Sequence, residues 1–107
     1  MALAKYGNKR DQNEPEIFDA LRNHGFTVCP LDTPCDAIVG YGGRSYLVEV
    51  KMPKGKLTGP QEQFLETWRG DFTILRSVDE AIAFAVKIRS EAVPIVGTAY
   101  PDRVVWK

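Results

Sequence analysis

PCDAIVGYGGRSYLVEVK, residues 34–51, sets two runs rich in β-branched and aromatic residues on either side of Gly42 and Gly43. A Gly-Gly pair between such runs predicts a two-residue hairpin turn, because both central positions need positive φ. With that turn, Tyr41 faces Arg44, and counting outward places Asp36 directly opposite Glu49. Directly opposed side chains leave the same face with Cβ atoms roughly 4.5–5.5 Å apart, where like charges destabilise a sheet. A shared divalent cation is the simplest remedy. Lys51 lies two residues beyond Glu49, hence on the same face, roughly 6.6 Å along the strand. A carboxylate pair with an adjacent ammonium suits a hard metal ion together with a phosphate. The same Glu-Val-Lys run also suits a strand whose polar face meets water. A one-residue slip in register would send the two acids to opposite faces.

The remaining sequence bounds what such a hairpin can belong to. A chain of 107 residues is expected to form a single domain with a modest core. Its 44% hydrophobic and 26% charged residues belong to an ordinary globular composition. Formal net charge is zero, so no overall basicity advertises nucleic acid. Charge is instead local: Lys5, Lys9 and Arg10 near the start, and Arg44, Lys51, Lys54 and Lys56 around the hairpin. Residues 57–71 are acidic, with Glu62, Glu66 and Asp71 against Arg69. Phosphate affinity is therefore expected beside the hairpin. Cys29 and Cys35 fit neither a redox nor a zinc spacing, and two free thiols in a reducing cytoplasm are expected. No apolar run is long enough to span a membrane, and the N-terminus lacks the apolar segment of a signal peptide.

Taken in order, residues 1–12 read as a basic arm, 13–89 as the core and 90–107 as a C-terminal arm. Lys5, Lys9 and Arg10 either fray with the terminus or touch a phosphate backbone. Asn13 is expected to cap a helix running to about His24, with Pro15 in its first turn and Gly25 just past its end. Ile17, Phe18, Leu21 and His24 share one stripe, with His24 a core-edge residue. Glu14 projects between Ile17 and Phe18, whereas Glu16 points away. A helix-dipole role would suit either acid, so the orientation favours Glu14 for chemistry. Phe26–Leu31 is expected to be a strand. Thr58 caps a second helix to about Arg69, with Gln61 either closing a capping box or serving the site. A strand over Phe72–Leu75 follows. Then Ser77 and Glu80 open a third helix to about Arg89, whose buried face is expected to be Val78, Ala81, Ile82, Ala85 and Val86. Residues 94–106 predict two short strands or an arm packing on a partner subunit or on its own core. Helix, three strands, helix, strand, helix makes a mixed α/β sandwich.

Glu14 on the first helix, Asp36 at the start of one strand, Glu49-Val50-Lys51 on the next and Gln61 on the following helix resemble the PD-(D/E)xK nuclease superfamily. EPEIFDALRNHGF from Glu14, followed by VEVK, resembles archaeal-type Holliday junction resolvases. LTGPQEQFL from Leu57 resembles VRR-NUC-like nucleases, including small phage proteins. The likeness covers roughly residues 9–86. It departs from the family's Pro-Asp pair by one residue, Cys35, between Pro34 and Asp36.

The resemblance implies a restriction-endonuclease-like αβββαβ core, a mixed central sheet flanked by helices. It implies Mg²⁺, with Mn²⁺ as substitute, held by Asp36, Glu49 and the carbonyl of Val50, and a role for Glu14 at a metal-bound water or second ion. Lys51 then acts on the attacking water or the phosphate, and Gln61 on Lys51 or the phosphate. The reaction implied is hydrolysis of DNA phosphodiesters to 5′-phosphate and 3′-hydroxyl ends. Lys5, Lys9, Arg10, Arg44, Lys54 and Lys56 are the expected backbone contacts. No zinc-finger or helix-turn-helix spacing appears, so structure-selective cutting is expected over base reading. Symmetric cleavage of a four-way junction needs two active sites and so implies a homodimer. The alternatives are a flap, nick or single-strand nuclease, and a fold that holds DNA without cutting it.

Overall fold

The computed structural model describes residues 10–94 and 104–107. In chain order the elements are α1 (Glu14–Asn23), β1 (Thr27–Pro30), β2 (Ala37–Tyr41), β3 (Arg44–Val50), α2 (Gly59–Thr67), β4 (Phe72–Leu75), α3 (Val78–Ser90), β5 (Ala92–Pro94) and β6 (Val104–Trp106). Gly42 and Gly43 have φ of +59° and +86°, the positive values a tight hairpin turn demands. Tyr41 accordingly pairs with Arg44, and the register runs on to Ala37 opposite Val48. The ladder ends there: Asp36 N donates to Val48 O at 3.1 Å, so Asp36 as well as Ala37 lies against Val48, and the expected pairing of Asp36 with Glu49 is not part of the register.

Four strands form one mixed sheet in the order β1-β2-β3-β4. β1 and β3 flank β2 antiparallel, while β4 joins β3 parallel through the α2 crossover. Alternation along β3 sends Tyr46, Val48 and Val50 into the main core, with Ala37, Val39 and Leu75 from the neighbouring strands. Ile17, Phe18 and Leu21 of α1 and Ala81, Ala85 and Ile88 of α3 close over that face. Leu47 and Glu49 point the other way. There α2 stands beside the sheet, linked by the Phe64–Phe72 ring contact with centroids 6.1 Å apart. No residue of α2 is buried, so this helix is held by its ends and by few side chains.

Several local expectations need correction. Asn13 precedes α1 but makes no side-chain cap: its Nδ2 donates to Lys51 O and Arg76 O, and its Oδ1 accepts no hydrogen bond from the helix. Ser77 Oγ accepts from Glu80 N, yet Glu80 Oε1 accepts from Arg76 N, so the capping box is only half formed. Val86 is 54% exposed, while Ile88 is buried and Phe84 packs on the core, rotating the inner face of α3 from the expected one. α2 stops at Thr67, two residues short of the expected end.

The tail forms two short strands, with Ala92 opposite Trp106. Trp106 folds onto the chain's own hairpin: its Nε1 donates to Gly42 O at 2.9 Å, and its ring meets Tyr41 edge-on. Residues 1–9 and 95–103, including Lys5, Lys9, Gly97 and Pro101, lie outside the described residues. No helix among the described residues is long and apolar enough to cross a membrane.

Candidate functional site

The carboxyl ends of the parallel pair β3 and β4 are where an α/β sheet offers a crevice to a ligand. Here that end gathers the acids. Asp36 and Glu49 are 2% and 1% exposed, and Glu14, at the start of α1, is 6% exposed. Glu49 is held on one oxygen from two directions: Gln61 Nε2 donates to Oε2 at 2.8 Å, and Lys51 Nζ lies 3.4 Å from it. Asp36 Oδ2 accepts from Val50 N at 2.7 Å. Because N–H and C=O of one strand residue face the same side, the Val50 carbonyl also turns toward the Asp36 strand.

Gln61 combines both roles that its sequence position suggested. Its Oε1 accepts from Thr58 N and its own N–H donates to Thr58 Oγ1, the reciprocal box that starts α2. Its remaining amide nitrogen is then aimed at Glu49. The cap thus sets the rotamer that serves the acid.

Arg10 is the largest departure from expectation. Its guanidinium is not turned outward toward a phosphate backbone; it is enclosed by acids. It hydrogen bonds Glu14, lies 3.6 Å from Asp36 Oδ1 and 3.6 Å from Asp32 Oδ1, and donates to the carbonyls of Leu31 and Asp36. The hydrogen bond to Glu14 raises the Arg10 pKa above its ordinary value against the cost of burial, so the group is a fixed positive charge. Glu14 thereby reaches Asp36 through Arg10 rather than directly. Asp32 was read only as a turn residue; no sequence spacing marks it as a partner of Arg10.

Arg44 also departs from its expected use. It sits at the hairpin tip with its guanidinium 4.0 Å from the Trp106 ring centroid, a cation–π stack. Five residues separate it from Glu49, roughly 16 Å along a strand. Lys54 and Lys56, by contrast, are exposed on the loop that leaves Lys51. His24 is the expected core-edge histidine, its Nδ1–H donating to Ala20 O at 2.9 Å within its own helix. Cys29 is exposed and Cys35 buried, with the Cys35 Sγ donating to Ala37 O at 3.3 Å.

Among the described residues, no three His, Cys, Asp or Glu side chains converge to hold a metal ion by themselves. The buried oxygen donors at this end of the sheet include the carboxylates of Asp36 and Glu49 and the carbonyl of Val50, whose N–H bonds Asp36. Hard, few and all oxygen, that set fits Mg²⁺ or Mn²⁺, which retain several waters, and does not fit zinc. Compared with protein-family models, curated proteins and solved structures, the chain matches none.

Proposed function

We propose that this chain is a divalent-metal-dependent DNA endonuclease, structure-selective and acting as a Holliday junction resolvase does. One observation carries the reading. Asp36 and Glu49, just before one strand and near the end of the next, are nearly wholly buried, with the Lys51 ammonium 3.4 Å from Glu49. Burying carboxylates costs several kcal/mol per ion, which the partners of each acid offset only in part, and such a cost suits a site better than a purely structural sheet. A mixed four-stranded sheet with three helices is compatible with the core implied by the resemblance of Glu14, Asp36, Glu49, Lys51 and Gln61 to that superfamily.

In this reading Asp36, Glu49 and the Val50 carbonyl hold Mg²⁺. When bound, the ion supplies Lewis-acid polarisation of the phosphate and a more acidic water. The chain's own groups do the rest. Lys51 places a positive charge where negative charge grows on the phosphoryl oxygens, worth roughly 10²–10³ in rate for one preorganised donor. Gln61 fixes the Glu49 carboxylate, and Arg10 fixes Glu14 and Asp36 relative to each other. Cleavage at a four-way junction needs two such sites, so the acting species is a homodimer. Val86, Val93 and Val105, exposed at 54%, 43% and 56%, lie on α3 and the β5–β6 ribbon, the elements expected to carry that contact.

The test is cleavage of labelled four-way, flap, linear duplex and single-stranded DNA with Mg²⁺ or Mn²⁺. Paired symmetric nicks across the junction support the proposal. Preferential flap or single-strand cutting replaces the resolvase with the simpler nuclease, and no cleavage with any divalent ion leaves a DNA-holding module.

A further inference from the structure

The loop leaving Lys51 is folded by contacts that serve no core. Gly55 N donates to Met52 O at 2.8 Å, closing a tight turn. Arg76, from the residue after β4, reaches across and donates through Nη1 to Met52 O at 3.0 Å and Gly55 O at 2.6 Å. Asn13 Nδ2 donates to Lys51 O at 3.1 Å and Arg76 O at 3.0 Å, clipping the two parallel strand ends together where they diverge. Asn13 thus fastens the place where Lys51 begins the loop through Nδ2. A Cβ on Gly55 would lie a tight 3.2 Å from Met52 O, and an ordinary 3.5 Å from Lys51 Cβ, so a side chain there would press on the turn's own backbone. Lys54 and Lys56, the residues on either side of Gly55, are both exposed and are carried by this turn to the neighbourhood of Lys51.

Lys54 and Lys56 put two exposed positive charges on one pinned turn, in a chain whose net charge is zero, beside Lys51, which is ion-paired with Glu49. Charges held in place bind a phosphate backbone without the ordering cost that a mobile loop incurs. Arg76 Nη1 bonds two backbone carbonyls of the loop, a tie through which the residue can hold the turn in place.

We infer that residues 52–57 form a preformed contact for the nucleic-acid phosphate backbone, and that Arg76 is a positioning residue that holds this contact beside Lys51, with Asn13 securing its root. The inference rests on the nuclease reading for the identity of the ligand, while the pinning itself is independent of it. Two measurements test it.

The first is hydrogen exchange of the Gly55 amide, without DNA. Arg76→Met is expected to speed exchange at Gly55 about tenfold relative to the α1 core, by opening the turn locally. Unchanged exchange overturns the pinning role.

The second is a binding cycle by fluorescence anisotropy, with labelled duplex and four-way junction in metal-free buffer so that nothing is cut. Replacing Lys54 and Lys56 together by Ala is expected to weaken Kd about tenfold and to lower the salt slope by about one per lost contact. Arg76→Met alone is expected to weaken it about fivefold by loss of preorganisation. Combined, the three substitutions are expected to bind no worse than the lysine pair alone, since Arg76 works only through that loop. Additive weakening overturns the inference while leaving the nuclease reading standing. Wild-type protein that binds neither DNA overturns both, and the Gly55 exchange then separates a real pin from a misassigned ligand.

Discussion

Gln61 Nε2 donates to Glu49 Oε2 at 2.8 Å while Gln61 Oε1 accepts from Thr58 N at 2.9 Å. One amide therefore both starts α2 and holds the most deeply buried acid of the sheet. Thr58→Ala breaks the cap but leaves Glu49 its donor, and is expected to cost about 1 kcal/mol of stability with Mn²⁺ affinity nearly unchanged. Gln61→Leu should lose both. Calorimetric titration with Mn²⁺ alongside thermal melts distinguishes them, and equal losses of metal affinity would mean that Gln61 does not act on Glu49.

Lys51 Nζ lies 3.4 Å from Glu49 Oε2, and its side chain is mostly buried, 12% exposed. Lys51→Met is expected to lower kcat by roughly 10²–10³ while Mn²⁺ binding persists. Glu49→Ala should remove both turnover and metal binding. Metal binding lost with Lys51→Met as well would turn the lysine into a structural counter-ion of Glu49.

Two facing carboxylates taken alone lead one to expect that neutralising Asp36 stabilises the protein. Arg10 reverses the sign. With Arg10 Nη2 3.6 Å from Asp36 Oδ1 and Val50 N donating to Oδ2, the charge of Asp36 is compensated. Asp36→Asn is expected to lower stability by about 2 kcal/mol, the usual worth of hydrogen bonds to a charged group. Arg10→Gln should be costly alone, and less than additive with Asp36→Asn, because either change already breaks the pair. A stabilised Asp36→Asn protein in denaturant melts would contradict this placement of Arg10.

The hairpin tip offers a cleaner contrast. By turn chemistry alone, Asn is a favoured first residue of a two-residue hairpin loop, so Gly42→Asn should be harmless. The tail forbids it: a Cβ on Gly42 would run into Val104 Cγ2 and come within 2.9 Å of Trp106 Cζ2. A destabilisation of about 1–3 kcal/mol is expected, as for other overpacked sites, and much of it should disappear in a Val104→Ala background. Gly43, with nothing within 4 Å of its would-be Cβ but a φ of +86°, should suffer only the backbone strain of a side chain there and so lose less than Gly42→Asn, which adds the clash. Equal melts for the two asparagine variants would show that the ribbon does not rest on the turn.

These contrasts also mark how far the sequence could be read. Asp36, whose N–H goes to Val48 O, departs from the pairing with Glu49 that counting outward gives, but the hairpin and its register from Tyr41–Arg44 to Ala37–Val48 were legible because turn chemistry and a period of two act over a few residues. The inner stripe of α1 was legible for the same reason, whereas α3, apolar around much of its circumference, allowed Val86 to be taken for a core residue when Ile88 and Phe84 take that place. Arg10 looked like a free basic residue because nothing local says that Glu14, Asp32 and Asp36 will surround it.

From its own order of residues the chain determines where strands turn, where helices start and which side chains share a face, since each of these is settled by neighbours within one or two turns. What only the folded molecule decides is which distant groups meet: Arg10 with Asp36, Asn13 with Lys51 and Arg76, Trp106 with Gly42. Those pairings depend on how whole elements lie against one another, and no periodicity along the chain carries that information.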